Sequence, residues 1–484
     1  MDLFGSSGVR GVANETLTPT LAMRVARAAG TVWGTDRAAV ARDTRTTGEM
    51  LADAVASGLA ATGADVDRLG VVPTPTAQRY AEHAGVPLVV VTGSHNPPAY
   101  NGIKLVGADG VELPTDEIER VETALDDAAY HDAPWDAVGR TSHVDGVARE
   151  YVDEVVAAVD RERIAAADLT VALDPGHGAG SLTSPRLFRE LGCRVVTVNA
   201  QPDGQFPGRD PEPVPERLGD LGRLVEAADA DLGVAHDGDA DRAVFYDERG
   251  EPVEGDAALA ALARAELDAG DTTVSAVNVS QRLVDAVDAA GASLELTPIG
   301  STRIVSRIRE LRAAGERVPV AGEGNGGIIF PNYRIARDGG YTAARFLELV
   351  ADRPASAVVE PVSGYHNVRT NISARGEERE RMLAAVAEFA DREHETGADL
   401  TTIDGHRLDY GDAWVLARPS GTEPLVRVYR SSPVTVSASV AGDDVGVRRN
   451  LPVFASASVS VTGQTTTPRR PPAPGAAVTP PRGR

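Results

Sequence analysis

From residue 37 onward, short apolar runs alternate with longer stretches of helical spacing, and no other feature of the 484 residues constrains the fold as much. AAVARD precedes the helix-like TTGEMLADAVASGLAATG, followed by RLGVVPTP, a further helix and PLVVVTGSH. A second round runs LTVALDPGHGAG, CRVVTVN and DLGVAHDGD, with helical patterns near 181–191 and 214–229 between them. A third runs GDAALAALARAEL, TTVSAVNVS, QRLVDAVDAAG, SLELTPIGS, a helix near 301–314 and VPVAGEGNGG. Strands alternating with helices of this length predict α/β architecture, with sheets covered by helices on both faces. Three such rounds, each of about a hundred residues, read as repeated units. The shorter stretch 355–430, with the helical EERERMLAAVAEFADR and strands ending in WVLARPSGTEPLVRVY, predicts a smaller α+β domain. Ligands in such sheets gather at loops beyond the carboxyl ends of the strands, so polar motifs that follow apolar runs are the places to look for chemistry.

The character of the chain changes at its end. Residues 431–484 hold two acidic residues, Asp443 and Asp444, against six arginines, in a chain whose formal net charge is −23. Ser, Thr, Val, Pro and Gly dominate there, a composition that buries no core. The segment reads as a disordered tail with the charge balance of a shifted reading frame. The acidic bulk (pI about 4.8) makes nucleic acid and anionic membrane surfaces poor partners. A single cysteine, Cys193, supports neither an internal disulfide nor a thiolate metal cluster. The opening MDLFGSSGVRG lacks a basic start and apolar core, and no run is long enough to span a membrane, so a cytoplasmic location is expected. An acidic surface that uses arginine in place of lysine suits the salt-rich cytoplasm of a halophilic archaeon; a G+C-rich genome gives the same bias.

Four motifs carry chemistry. TGSHNPPAYNGIK (92–104) begins where the apolar PLVVV ends, and sets Ser94 on a loop with an exposed hydroxyl after a permissive glycine. Serine needs a base, a metal or prior modification to act as a nucleophile. HDGDADR (236–242) spaces Asp237, Asp239 and Asp241 alternately, which suits a hard divalent cation seeking oxygen ligands. A calcium loop would place Glu248 at its twelfth position, but Arg242 stands where that loop needs glycine. GEGNGG (322–327) lets backbone approach a ligand closely, with Glu323 able to accept two sugar hydroxyls. RPSGTEPLVR (418–427) combines two arginines, two hydroxyls and a glycine, a set that matches phosphate oxygens.

Together these motifs resemble the α-D-phosphohexomutase superfamily, which includes phosphoglucomutase, phosphomannomutase and phosphoglucosamine mutase. The resemblance runs from FGSSGVRG through all four motifs in family order, to about residue 430. It implies three related α/β domains with mixed sheets and a smaller C-terminal α+β domain around one central cleft. The expected boundaries are 1–147, 148–250, 251–354 and 355–430, followed by the tail 431–484. Ser94 matches the serine that carries a phosphoryl group. Asp237, Asp239 and Asp241 match the ligands of one magnesium ion, completed by a phosphoserine oxygen. Glu323 matches the residue that grips sugar hydroxyls, beside Asn325 and Gly326. Arg418, Ser420, Gly421, Thr422 and Arg427 match the clamp on the non-reacting phosphate. Arg10, His95, Lys104 and Arg242 match cleft positions that steady charge or move protons.

Of 48 lysines and arginines, only Lys104 is lysine. The resemblance makes it a general acid/base. Arginine hardly ever loses its proton, whereas lysine does when its surroundings lower its pKa. The implied reaction interconverts hexose 6-phosphate and hexose 1-phosphate through a 1,6-bisphosphate, which also serves as activator. GEGNGGIIFP looks most like archaeal phosphoglucosamine mutases, with mannose or glucose phosphate as the alternative sugar. Two other classes remain: a metal-dependent phosphatase using Asp237 as nucleophile, and a non-catalytic sugar-phosphate binder. Partners are expected to be small hexose phosphates, and the protein a monomer or homodimer.

Overall fold

The computed structural model describes residue 4, residues 8–420 and residues 424–433. Four sheets appear in chain order among the described residues. The first holds β1 (Val9–Val12), β2 (Arg37–Arg42), β3 (Asp65–Val71), β4 (Leu88–Val91), β5 (Tyr100–Val106) and β6 (Thr141–His143). The second holds β7 (Thr170–Asp174), β8 (Arg194–Thr197), β9 (Leu232–Ala235), β10 (Val244–Tyr246) and β11 (Pro252–Val253). The third holds β12 (Thr272–Ala276), β13 (Ser293–Thr297), β14 (Ala321–Glu323), β15 (Gly327–Phe330) and β16 (Arg334–Arg337). The fourth holds β17 (Tyr365–Ser373), β18 (Asp399–Thr401), β19 (His406–Asp409), β20 (Trp414–Pro419) and β21 (Leu425–Pro433).

The first three sheets are mixed and share one wiring. In each, three strands run parallel, in the orders β3-β2-β4, β8-β7-β9 and β13-β12-β14, and in the first sheet β6 adds a fourth beside β3. The last strand of each trio then turns back into an antiparallel neighbour: β4 into β5, β9 into β10, β14 into β15. A second antiparallel strand finishes each edge, β1 in the first sheet, β11 in the second and β16 in the third. The turn-back tips are 92–99, 236–243 and 324–326. Three of the four sequence motifs therefore occupy one topological position repeated three times, where strand direction reverses and backbone groups are left free to meet a ligand. The fourth sheet is antiparallel throughout, in the order β17-β21-β20-β19-β18. Phe389 and Ala390, on the helix Gly376–Glu395, bury themselves with Ala398 and Leu408 of that unit.

Packing joins what the sequence divides. Val171, Leu173, Val234 and Phe245 of the second unit share one buried core with Leu259, Leu262, Val320 and Phe346 of the third. Phe245 and Phe346 stack with ring centroids 4.2 Å apart. Ala355, Val358 and Val362 are buried in the same core, so the stretch after residue 354 continues the third unit as far as the start of β17. The composition break at 431 is not the end of the folded unit either. Ser431, Ser432 and Pro433 extend β21 by pairing with Asn367, His366 and Tyr365. Ser431 is buried and donates to Asn367 Oδ1 at 2.6 Å. Small polar residues are legible as loop in sequence, yet a partner strand and a buried acceptor hold them extended. The rest of the predicted tail lies outside the described residues. No described helix is long and apolar enough to cross a membrane.

Candidate active site

The first tip is built around an arginine that the sequence does not single out. Arg45 is fully buried, and every N–H of its guanidinium has a partner. Nε donates to Asp43 Oδ2 at 3.0 Å, and Nη1 donates to the carbonyls of Pro97 and Tyr100, both at 2.8 Å. Nη2 donates to the carbonyls of Ser94 at 2.8 Å and Asn96 at 2.7 Å. Asp43 also accepts from the Thr92 hydroxyl at 2.6 Å, and Thr92 Oγ1 accepts from the Ser94 N–H at 2.8 Å. The loop is thus fixed on both sides of the serine. It holds Ser94 at φ +49°, a left-handed backbone that non-glycine residues rarely adopt. A Cβ on Gly93 would stand 2.6 Å from the Arg45 guanidinium carbon, so that position admits only glycine.

This geometry corrects one expectation. The Ser94 hydroxyl is not exposed: the residue is 0% accessible, and its Oγ donates to Asp237 Oδ2 at 2.8 Å. The reason is the second tip, which lies directly on the first. A Cβ on Gly238 would sit 2.6 Å from the Ser94 carbonyl oxygen. A second buried arginine organises this side in the same manner. Arg209 Nε donates to Asp174 Oδ2 at 2.9 Å, and its Nη2 to the His236 carbonyl at 2.7 Å. Arg45 also reaches across the unit boundary, lying over the Phe206 ring at 5.2 Å.

Asp237, Asp239 and Asp241 are all buried, and one carboxylate oxygen of each lies within 4.8 Å of the others. Asp239 Oδ2 accepts from Thr74 Oγ1 at 2.6 Å and from Lys104 Nζ at 3.0 Å. Asp241 Oδ2 accepts from Lys104 at 2.8 Å and from Arg337 Nη2 at 2.7 Å. Oδ1 of both residues is buried without a hydrogen-bond partner. Buried carboxylate oxygens left over after such complete use of their twins fit a divalent cation, which takes oxygen ligands. Glu248 takes no part: it accepts from the Ser356 hydroxyl at 2.5 Å, and the calcium-loop reading fails on that contact.

The charges of the site depend on one another. Burial, reinforced by Asp241 and Asp239, pushes the Asp237 carboxyl well above its ordinary range. Burial acts in the same direction on Asp239 and Asp241, but Lys104 and Arg337 outweigh it and hold both carboxylates below that range. Lys104 is the reverse case. Burial alone lowers its pKa, yet Asp239 and Asp241 raise it overall. The expectation of a lowered lysine therefore fails, because the ammonium sits between two carboxylates. Burial and the neighbouring guanidiniums push His95 down to about 2. Its neutral Nδ1 accepts from Arg242 Nη2 at 3.1 Å and lies 3.4 Å from Ser94 Oγ. Arg10 Nη1 donates to Asn96 Oδ1 at 2.7 Å, which sets a second guanidinium beside the serine loop.

The third tip touches the second through backbone. The Ala243 N–H donates to the Gly326 carbonyl at 3.1 Å. Glu323 closes β14 as the last residue of a strand rather than standing in a loop, and Asn325 is exposed beside it. Both line a cleft whose other wall comes from Asn367, Arg369 and Arg430 of the fourth unit. Arg418 and Arg427 are direct cross-strand partners on β20 and β21. Arg418 is held by Asp404, whose other oxygen accepts from the Ile299 N–H. Buried Ser420 donates its N–H to the Leu425 carbonyl at 2.9 Å. Gly421 and Thr422 lie outside the described residues. The structure thus gathers Ser94, His95, Lys104, Arg10, Arg242 and the three aspartates at two touching tips, with Glu323, Asn325 and Gly326 on the third. Sequence reasoning missed Arg45, Arg209, Thr74 and Arg337, whose roles exist only through long-range contact.

Models of the family match along the chain: "Phosphoglucomutase/phosphomannomutase, alpha/beta/alpha domain I" over residues 1–131, domain II over 149–250 and domain III over 254–365. The C-terminal domain of the same family matches residues 367–435. A phosphoglucomutase/phosphomannomutase of Thermococcus kodakarensis is 40% identical over 437 residues, covering 88% of this chain and 94% of that protein. A probable phosphoglucosamine mutase of Methanopyrus kandleri is 39% identical over 431 residues, covering 88% and 92%. A crystal structure of a phosphoglucomutase/phosphomannomutase family protein from Burkholderia thailandensis superposes with a TM-score of 0.77 at 31% identity, covering 89% of this chain and 93% of that one. With the fold, the paired tips and these relatives in agreement, the chain belongs to the phosphoglucomutase/phosphomannomutase family of α-D-phosphohexomutases, isomerases that work by phosphoryl transfer.

Proposed function

We propose that this enzyme interconverts a hexose 6-phosphate and its 1-phosphate isomer through phosphoserine 94 and a 1,6-bisphosphate, with glucosamine phosphate as the preferred sugar. One observation carries the reading. Ser94 Oγ stands 2.8 Å from Asp237 Oδ2, beside two buried carboxylates whose Oδ1 atoms accept no hydrogen bond.

Phosphoryl transfer asks a protein for positioning and charge neutralisation more than for covalent chemistry. The bond between phosphorus and Ser94 Oγ breaks as a sugar hydroxyl oxygen bonds to phosphorus. Lys104, protonated between its two carboxylates, supplies the proton that the departing Oγ needs, and the sugar hydroxyl returns one to it. A protonated resting lysine suits the acid half of that exchange. Arg242 and Arg10 face the serine loop and draw charge from the transferring group. Asp237, Asp239 and Asp241 would hold magnesium, which supplies further neutralisation on the same oxygens. Neutral His95 accepts from Arg242 and fixes its guanidinium toward the serine.

The existing phosphate is gripped by Arg418, Ser420 and Arg427 together with Gly421 and Thr422. Arg418 and Arg427 are cross-strand neighbours, a pairing that suits bidentate contacts to one phosphate and supports this assignment. Glu323 and Asn325 hold sugar hydroxyls. The bisphosphate turns over in the cleft and returns its other phosphoryl group to Ser94, and added hexose 1,6-bisphosphate primes the unmodified serine.

GEGNGGIIFP and the phosphoglucosamine mutase relatives support glucosamine phosphate. The name of the 40% identical relative favours a second reading, mannose or glucose phosphate. Turnover of glucosamine, mannose and glucose 1-phosphates with a trace of bisphosphate decides between them. Glucosamine 1-phosphate should show the highest kcat/KM, and faster turnover of either other sugar overturns that choice. Asp237 is a poor nucleophile here, since its oxygens accept from Ser94 Oγ and from the Arg242 N–H. Release of inorganic phosphate with Ser94 unmodified would nonetheless establish the phosphatase reading.

A further inference from the structure

We propose that Arg337 of the third unit is a positioning residue for the cation site, selecting which oxygen of Asp241 faces the metal. The inference rests on the aspartate trio being a cation site, and not on the identity of the sugar.

Arg337 closes β16, in the stretch RIARDGG, where sequence suggests no ligand. Its side chain is buried and reaches out of its own unit. Nη2 donates to Asp241 Oδ2 at 2.7 Å and lies 3.8 Å from Glu112 Oε1 of the first unit. The chain just beyond it is pressed against the metal loop. The Gly339 N–H donates to the Ala240 carbonyl at 3.2 Å, and a Cβ on Gly339 would lie 2.3 Å from the Arg242 carbonyl oxygen. On the other side, the stem of Arg337 lies over Gly327, where an added Cβ would meet its Cδ at 2.7 Å. One side chain therefore joins the sugar-binding tip to the metal loop, with Glu112 beside it.

The consequence for Asp241 is a choice of rotamer. Arg337 and Lys104 both donate to Oδ2, and Oδ1 is left buried without a hydrogen bond, with Arg242 Nε no closer than 3.9 Å. Asp239 is arranged alike, with Thr74 and Lys104 on Oδ2 and Oδ1 unpartnered. Groups that hydrogen-bond the far side of a ligating side chain fix its orientation and tune metal affinity. In this account Arg337 does that for Asp241, as Thr74 does for Asp239.

The electrostatic alternative has the opposite sign, which makes the test sharp. A cation beside a metal site repels the metal, so removing Arg337 would tighten binding if repulsion dominated. If orientation dominates, removing it weakens binding. Magnesium is titrated calorimetrically into the full chain without sugar, comparing wild type with Arg337→Gln and Arg337→Lys. The expected result is a Kd raised about 10- to 100-fold in Arg337→Gln, with partial recovery in Arg337→Lys, which keeps one donor to Oδ2. An unchanged or lower Kd in Arg337→Gln overturns the proposal, even if the variant melts earlier, because a purely structural brace would move stability and not affinity. Should Arg337→Gln not fold, Arg337→Met, which also removes the donor, decides on the same criterion. Absence of magnesium binding in wild type would sink the cation site itself, whereas a glucose or mannose preference would leave this result untouched.

Discussion

At two of the three turn-back tips the functional side chains are closed off from solvent, and at the third they are open. Ser94, Asp237 and Asp239 are 0% accessible and Asp241 is 1%, whereas Asn325 at the corresponding tip of the third sheet is exposed. The closed tips are long loops, each held by a buried arginine paired with an aspartate: Arg45 with Asp43, and Arg209 with Asp174. The open tip spans 324–326, and among the described residues no arginine donates to its carbonyls. The same wiring therefore supports opposite demands. Groups that exchange a phosphoryl group must keep a fixed separation, since small misplacement of reacting groups is costly. A surface that grips a sugar in two orientations has to leave room for it to enter and turn.

If that contrast is right, damage at the closed tips should be catastrophic and damage at the open tip mild. The largest effect is expected of Ser94→Ala, which removes the phosphoryl acceptor. Turnover should fall to background with the melting temperature little changed, and residual mutase activity dependent on bisphosphate would break the account. Next comes Lys104→Arg, which keeps the charge between Asp239 and Asp241 but replaces an ammonium able to give up its proton with a guanidinium that hardly ever does. A loss in kcat of about 10²- to 10⁴-fold is expected from a general acid/base role. Full turnover would reduce Lys104 to a structural cation.

Arg45→Met leaves Asp43 buried without its partner, a change that costs about 3–5 kcal/mol in stability. Denaturant unfolding measures it, and a cost below about 1 kcal/mol would mean the serine loop holds itself. His236, buried at 0%, gives a pH-dependent companion. Its Nδ1–H donates to the Arg242 carbonyl, Nε2 accepts from Ser184, and burial lowers its pKa from 6.5 to about 4. The unfolded chain takes up this proton near pH 6.5 and the folded chain does not. Stability contributed by the neutral ring is therefore lost as pH falls from 6.5 toward 4. His236→Gln should flatten that limb of the stability curve, and an unchanged slope would contradict the assignment.

The smallest effect belongs to the open tip. Asn325→Ala should raise KM by about 3- to 10-fold, the worth of one neutral hydrogen bond, with kcat nearly kept. A collapse of kcat there would erase the contrast between tips.

The four motifs were legible because each puts its chemistry into contiguous residues at a strand end, where backbone turns and side chains are few. The repeated units were legible from the alternation of strand and helix. What could not be read is what needs distant partners. Arg45 and Arg209 look like ordinary arginines until the chain folds and their donors meet carbonyls on other loops. Burial of the Ser94 hydroxyl depends on the second tip closing over the first, across 143 residues of sequence. The raised pKa of Lys104 depends on the same closure. Residues 431–433 read as tail because nothing local marks them as a strand, and the Ser431 hydroxyl finds its partners, Asn367 Oδ1 and the Gln281 N–H, only in distant segments.

The central claim is that Ser94 carries the phosphoryl group within reach of the aspartate trio. Incubating the full chain with hexose 1,6-bisphosphate and magnesium, then locating phosphate by peptide mass spectrometry, tests it directly. The account predicts phosphate on Ser94, absent when magnesium is withheld and lost on turnover with hexose phosphate. Phosphate found on Asp237 or elsewhere, or catalysis with Ser94 unmodified throughout, would contradict it.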